Sequence, residues 1–191
     1  MDYFIVIVIS YLLGSIPFGL ILTRLFLKKD IRKIGSGNIG ATNVLRSGNK
    51  PIGYLTLFLD ILKAITPILY IKFNYPELIY ISSLSVFLGH VFPIWLKFNG
   101  GKGIATYIGI LFSINYIYGL LFIIIWILIF LISKYSSLSS IIASSSIPIY
   151  ILFYKHNFWF FYLIIFILII YSHRENIKRL INNEETKTKI Y

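Results

Sequence analysis

Apolar runs of roughly the length a helix needs to cross a bilayer recur along this chain, joined by short polar links. They fall at 3–27, 51–72, 77–96, 104–133, 141–154 and 158–171. The chain has 191 residues, 58% of them hydrophobic, and a soluble domain of that length has too little interior to hide so much apolar surface. Hydrocarbon must therefore be the solvent for most of it, in one compact membrane domain. The first run follows Met1-Asp2, and its cations, Lys28 and Lys29, come after it, which is the pattern of a retained span and not of a removed signal peptide. Gly14, Pro17 and Gly19 predict a kink or a closely packed neighbour within that span.

Charge supplies the topology. The formal net charge is +11. Its cations gather in 28–50 (Lys28, Lys29, Arg32, Lys33, Arg46, Lys50) and in the tail (Arg174, Lys178, Arg179, Lys187, Lys189). Cytoplasmic segments collect Lys and Arg, so both belong on the cytoplasmic side. The excess is also compatible with attraction of anionic lipids or substrates. The 104–133 run is too long for one untilted crossing of about 30 Å and too short for two. Read as a short helix, a turn near Asn115 and a full span, it puts the two basic segments on the same side. The expectation is an all-α integral membrane protein of about seven transmembrane helices, one of them short. The N-terminus is outside and the C-terminus cytoplasmic, with 28–50, 97–103, 134–140 and 172–191 inside. The run 141–154 is short, either tilted or extended into the Ser-rich stretch before it, and Lys155-His156-Asn157 separates it from the next.

Three segments carry polar chemistry. Gly35-Ser36-Gly37-Asn38-Ile39-Gly40-Ala41-Thr42-Asn43, followed by Arg46, contains a formal G-x-G-x-x-G. A dinucleotide site is rejected, because that fingerprint needs a strand before it and a βαβ unit around it. What remains is a small-residue loop whose backbone N–H groups can converge on an anion. Ser36, Asn38, Thr42 and Asn43 add hydrogen bonds, and Arg46 adds a bidentate phosphate partner. An ordinary connector is the alternative, but donors this dense beside an Arg suit an oxyanion. Gly89-His90 through Asn99-Gly100-Gly101-Lys102-Gly103-Ile104-Ala105-Thr106 places Lys102 at a helix start, where anions are attracted. It is not a Walker A, since the earlier Gly of that pattern is missing. In the tail, His173 and Asn176 fall on one helical face. Asp60 and Lys63 have the same spacing inside a span, where a structural pair and a functional one are equally open. The three His and the absence of Cys give no metal-ligand spacing and no thiol chemistry. There is no Gly-x-Ser-x-Gly elbow, and no His is followed by the x-x-x-x-Asp of acyl-CoA-dependent acyltransferases.

Together these blocks resemble the bacterial membrane glycerol-3-phosphate acyltransferases that use acyl-phosphate donors, the PlsY type. The resemblance covers nearly the whole chain. It runs through Gly14-Ser15-Ile16-Pro17-Phe18-Gly19, the Gly35–Arg46 block, Leu59-Asp60-Ile61-Leu62-Lys63-Ala64, the Gly89–Thr106 block, Tyr135-Ser136-Ser137-Leu138-Ser139-Ser140 and His173–Leu180. Two departures stand out. Ala64 takes the place of a usual Gly, and Asn182-Asn183-Glu184 precedes Glu185 where the family has Gly and Thr before its Glu.

The resemblance implies transfer of a fatty acyl group from acyl phosphate to the 1-hydroxyl of sn-glycerol 3-phosphate. The products would be 1-acylglycerol 3-phosphate (lysophosphatidic acid) and inorganic phosphate, the first acylation of bacterial phospholipid synthesis. It implies no metal or other cofactor, a site on the cytoplasmic side of the inner membrane, membrane lipids as surroundings, and no nucleic-acid partner. It implies that Ser36, Arg46, Lys102 and Asn176 are catalytic. Substrate or phosphate contacts would come from Gly37, Asn38, Thr42, Asn43, Lys97, Gly101, Gly103, Thr106, Ser137, His173 and, more weakly, Glu185. His173 and Asn176 would position glycerol 3-phosphate, and Lys102 would neutralise the departing phosphate. The competing reading is a small phosphate or phosphoester transporter. That design should show internal repeats or paired broken helices at mid-membrane, and the sequence has neither.

Overall fold

The structure is a computed structural model and describes residues 2–154 and 157–188, in which every regular element is helical. Lys155 and His156 of the expected link, and Lys189 of the expected basic tail, lie outside the described residues. The described chain forms two units, one ending at Ile114 and the other beginning at Asn115.

In the first unit, α1 (Tyr3–Gly14) begins where the Asp2 carboxylate accepts the Phe4 N–H at 3.0 Å. It ends before Pro17, which has no N–H to continue the ladder, and α2 (Phe18–Leu27) restarts beyond it. A single-turn helix (Ile31–Lys33) and the short α3 (Ala41–Arg46) fill the polar segment that follows. Next comes α4 (Lys50–Asn74), capped by Asn49, whose side chain accepts the Ile52 N–H at 3.0 Å, with Pro51 tolerated in the first turn. The unit closes with α5 (Ile79–Val91), packed on α1, and α6 (Ile104–Ile114), packed on α4.

The second unit holds α7 (Tyr116–Ser133), α8 (Ser136–Phe153), α9 (Trp159–Ser172) and α10 (Arg174–Ile181). Here α8 packs between α7 and α9, and α10 lies against both α8 and α9. The axis bends by 61° between α9 and α10.

The expected turn near Asn115 is present. Asn115 accepts the Ile117 N–H at 2.9 Å and so starts α7. Of the two readings of the short run 141–154, extension into the Ser-rich stretch is the one observed: α8 already begins at Ser136, which leaves a shorter link than 134–140. Ser139, Ser140 and Ser144 donate their hydroxyls to carbonyls one turn back, at 2.7–2.8 Å, so these side chains travel inside a helix without an unmet polar atom.

Five stretches are long and apolar enough to cross a membrane: Tyr3–Leu27, Lys50–Asn74, Pro76–Leu96, Tyr116–Ser133 and Ser136–Phe153. Counted as one span, the bent α9–α10 pair makes a sixth, and α6 is a shorter apolar helix. Large side chains such as Phe73 (79% exposed), Ile132 (81%) and Phe153 (82%) stand on the outside of these helices, where lipid and not water is the favourable neighbour.

Candidate active site

The Gly35–Arg46 segment is built around Asn43, whose amide is almost wholly buried. Its Nδ2 donates to the Ile31, Ile34 and Asn38 carbonyls at 3.2, 2.9 and 2.8 Å, and its Oδ1 accepts the Ser36 N–H at 2.9 Å. Asn43 therefore holds the loop in shape. Gly35 and Gly37 both sit at positive φ (58° and 70°), and a Cβ on Gly35 would run into the Asn43 amide. The Gly37 N–H donates to the Ile34 carbonyl and the Gly40 N–H to Asn38 Oδ1. This corrects one expectation: the Ser36, Gly37 and Gly40 N–H groups are spent on the loop itself and do not converge on an anion. The loop instead presents side chains. Ser36 and Arg46 are exposed, and Thr42 and Asn38 are half-buried.

The second segment lies on the same apolar footing. Leu96 packs against the cluster of Leu20, Ile31, Ile39 and Val44 that underlies the first loop. Two successive left-handed residues, Lys97 (φ 50°) and Phe98 (φ 62°), turn the chain, and the Gly100 and Gly101 N–H groups donate to the Val91 and His90 carbonyls at 3.0 Å. A Cβ on Gly101 would meet the His90 ring, so that ring packs flat against the loop. His90 thus has a packing role here. Gly103 (φ 84°) leads into α6, placing the half-buried Lys102 just before the helix and the fully buried Thr106 in its first turn.

Beneath both loops lies the buried pair left open by sequence. Lys63 Nζ is 2.8 Å from Asp60 Oδ1 and donates to the Ile16 carbonyl at 2.7 Å, while His90 Nδ1 stands 3.9 Å from Asp60. Ile16 lies in the α1–α2 break, outside the helical ladder, and its carbonyl accepts from the Lys63 ammonium as well as from the Phe18 N–H at 3.1 Å. Trp95 Nε1 donating to Ser15 Oγ at 2.8 Å and the Tyr11 hydroxyl donating to the Phe92 carbonyl at 2.7 Å pin the same break to the end of α5.

In the second unit, Ser137, Asn176 and Glu185 come together. Glu185 Oε1 accepts from Ser137 Oγ at 3.0 Å and from Asn176 Nδ2 at 2.8 Å, and Oε2 accepts from Arg179 Nε at 2.8 Å. Burial pushes the Glu185 carboxyl up, but hydrogen bonds from Arg179, Asn176 and Ser137, with the Arg179 charge, more than offset it and hold the pKa below the ordinary 4.5. Arg179 was counted only among the tail's cations. Its spacing of one helical turn from Asn176 was the available signal. His173 ends α9, and its Nδ1 lies 2.9 Å from the Ile169 carbonyl. A neutral ring donating there leaves Nε2 as an acceptor. Among the described residues, no group of three or more His, Asp or Glu is placed to hold a metal ion.

The sequence profile of a family described as glycerol-3-phosphate acyltransferase matches residues 4–183. A glycerol-3-phosphate acyltransferase of Pelagibacter ubique is 68% identical over 191 residues, the full length of both chains. One of Bartonella quintana is 49% identical, over 95% of this chain and 90% of the relative. Among solved structures, the glycerol 3-phosphate form of PlsY, an integral membrane glycerol 3-phosphate acyltransferase, superposes with a TM-score of 0.91 at 37% identity, covering 98% of this chain and 96% of that one. Its lysophosphatidic acid form gives 0.87, covering 97% and 94%. With a family profile that matches most of the chain, full-length relatives and a membrane fold that matches over nearly its whole length, the chain belongs to the glycerol-3-phosphate acyltransferase family of integral membrane proteins.

Proposed function

We propose that this membrane-embedded acyltransferase moves a fatty acyl group from acyl phosphate to the 1-hydroxyl of sn-glycerol 3-phosphate, at the cytoplasmic face of the bacterial inner membrane. Family membership over residues 4–183 carries the acceptor and the reaction class. The hydroxyl oxygen attacks the acyl carbonyl carbon, the bond from that carbon to the phosphate oxygen breaks, and a phosphate oxygen of the donor takes the hydroxyl proton. The products are lysophosphatidic acid and inorganic phosphate. A phosphate monoester dianion titrates near pH 6 by analogy with phosphoamino acids, so it is a competent base near neutrality.

The roles proposed for the residues are those the resemblance implies, and the geometry of each unit is compatible with them. The Ser36 and Thr42 hydroxyls, the Asn38 amide and the Arg46 fork hold phosphate oxygens from a loop whose shape Gly35, Gly37 and Asn43 maintain. Lys102 neutralises charge on the departing phosphate, with Lys97, Gly101, Gly103 and Thr106 as further contacts, while Gly101 and Gly103 also let the loop pack against His90 and Phe87. Ser137, His173, Asn176 and Glu185 bind the acceptor. Residues 1–191 act as a single catalytic domain, a reading supported by one family profile running across both units. We further propose seven crossings, α6 being the short one, with the N-terminus outside.

The donor is tested by assaying purified protein with palmitoyl phosphate, palmitoyl-CoA and palmitoyl–acyl carrier protein side by side, with chelator present. Lysophosphatidic acid should form from palmitoyl phosphate. Equal or faster turnover with the thioesters would remove the acyl-phosphate assignment.

A further inference from the structure

Inside the first unit an acid, an amine and an imidazole meet where apolar side chains would ordinarily pack. Asp60 and Lys63 lie one turn apart on α4, and His90 lies in the last turn of α5; all three are almost wholly buried. Lys63 Nζ is held from two sides, by Asp60 Oδ1 at 2.8 Å and by the Ile16 carbonyl at 2.7 Å. The Asp60 carboxylate therefore has a fixed place, and His90 Nδ1 stands 3.9 Å from it. The other edge of the ring faces the Gly100–Gly103 loop, where a Cβ on Gly101 would collide with His90 Nε2. The Gly101 N–H also donates to the His90 carbonyl at 3.0 Å. Lys102 is the next residue. The resemblance gives Asp60, Lys63 and His90 no part in the reaction.

Stability alone is a poor reason for such a set. A buried ion pair gives up the hydration of both charges, and apolar side chains of the same volume are often at least as stable in its place. At membrane depth the cost of ionisable groups is higher still. What charge adds is direction. Held by Lys63, the Asp60 carboxylate attracts the Nδ1 edge of His90 and so sets the rotation of the ring; at 3.9 Å this is electrostatic attraction and not a full hydrogen bond. Gly101 has no side chain to separate ring from backbone, so the setting of the ring becomes the seat of the loop. The seat of the loop in turn fixes where Lys102 leaves the backbone.

We infer that His90, oriented by the Asp60–Lys63 pair, is a positioning residue that aims Lys102 at the departing phosphate. This rests on the role proposed for Lys102 and adds what holds it in place. A displacement of about 1 Å in a reacting group can cost about 100-fold in rate, so a buried residue that touches no substrate can still control the chemical step.

The test asks whether His90 acts through Lys102. Wild-type protein, His90→Phe, Lys102→Ala and the combined variant are assayed with palmitoyl phosphate and sn-glycerol 3-phosphate, with thermal midpoints in detergent measured alongside. Phe keeps a ring against Gly101 and loses the nitrogen that faces Asp60. His90→Phe should lower kcat at least about tenfold and leave KM for glycerol 3-phosphate within about twofold. Added to Lys102→Ala, it should change the residual rate by less than about twofold, because residues that act as a unit are not additive. Inhibition by inorganic phosphate, measured against palmitoyl phosphate, should weaken at least about threefold in His90→Phe. The charge-neutral pair of changes Asp60→Asn with Lys63→Met should repeat the His90→Phe pattern, whereas a merely structural ion pair would leave the kcat of the folded protein intact. If either of these two variants fails to fold, the other decides. If Lys102→Ala is too slow to read, phosphate inhibition decides. Full kcat in His90→Phe, a loss that multiplies with that of Lys102→Ala, or unchanged phosphate inhibition would overturn the inference. Near-full activity in Lys102→Ala would instead remove the role proposed for Lys102, and the aiming of it as well.

Discussion

Asn43 and Arg46 sit on one short helix, α3, and use their polar atoms in opposite ways. Asn43 is buried with four hydrogen bonds to the loop backbone, whereas Arg46 is exposed at the helix end. Removing the first should unmake the loop, because three carbonyls and one N–H lose their partner in a place water reaches poorly. Removing the second should leave the loop standing and take away a phosphate ligand. Asn43→Ala is therefore expected to lower both the thermal midpoint in detergent and the activity. Arg46→Ala and Lys102→Ala should fold normally and lose at least about 30-fold in rate, or about 2 kcal/mol of transition-state stabilisation. Arg46→Lys should recover only part, since a point charge does not reproduce a planar fork. Lys29→Ala, in the same basic segment but outside the loop, is the control. Near-full activity in the Arg46 and Lys102 variants would mean that neither is a phosphate ligand.

The elements differ in how openly the sequence announced them. The break at Asn115 was legible because two independent demands, run length and charge parity, met on one residue able to cap a helix. The kink before Pro17 was legible from Pro chemistry alone, but the bond from Lys63 into that break was not, since the Ile16 carbonyl and the Lys63 ammonium are 47 residues apart. The start of α8 inside the Ser-rich stretch was one of two open readings, because Ser composition favours turns in water, while in an apolar setting the same hydroxyls fold back on the helix. Of the site, residue types were readable and partners were not. Nothing local reveals that Asn43 faces its own loop or that Glu185 reaches back to Ser137. Gly14 announced a closely packed neighbour but not that the neighbour is α5. A Cβ on Gly89 would collide with the Tyr11 carbonyl, and one on Gly14 with the Val86 backbone, so two helices approach as closely as only Gly permits. Gly89→Ala should therefore cost about 1–3 kcal/mol through forced backbone separation, read as a fall in the thermal midpoint in detergent. An unchanged midpoint would show that the two helices can part without loss.

For the chain as a membrane protein, everything turns on α6. It has 11 residues, about 16 Å at 1.5 Å per residue, roughly half the hydrocarbon thickness. By length alone it would not count as a crossing. Two observations within the first unit support counting it. Gly109 packs against Ile61 and Ala64 of α4, and Lys72, in the last turn of α4, donates to the Ser113 and Ile114 carbonyls at 2.7 and 3.1 Å. The helix thus ends beside the far end of α4. The consequence is arithmetic. Between the basic segment 28–50 and the basic tail, counting α6 gives an even number of crossings and puts both on one side; discounting it puts them on opposite sides. Single Cys residues at Ser47 and at Lys178, in a chain that has no Cys of its own, should both react with a membrane-impermeant maleimide only when the cytoplasmic face is opened. Labelling of the pair from opposite faces would strike α6 from the crossings and with it the seven-helix topology. Such a result would also put the Gly35–Arg46 loop and the Ser137–Asn176–Glu185 cluster on opposite faces, so the roles assigned to the second unit would fall with it.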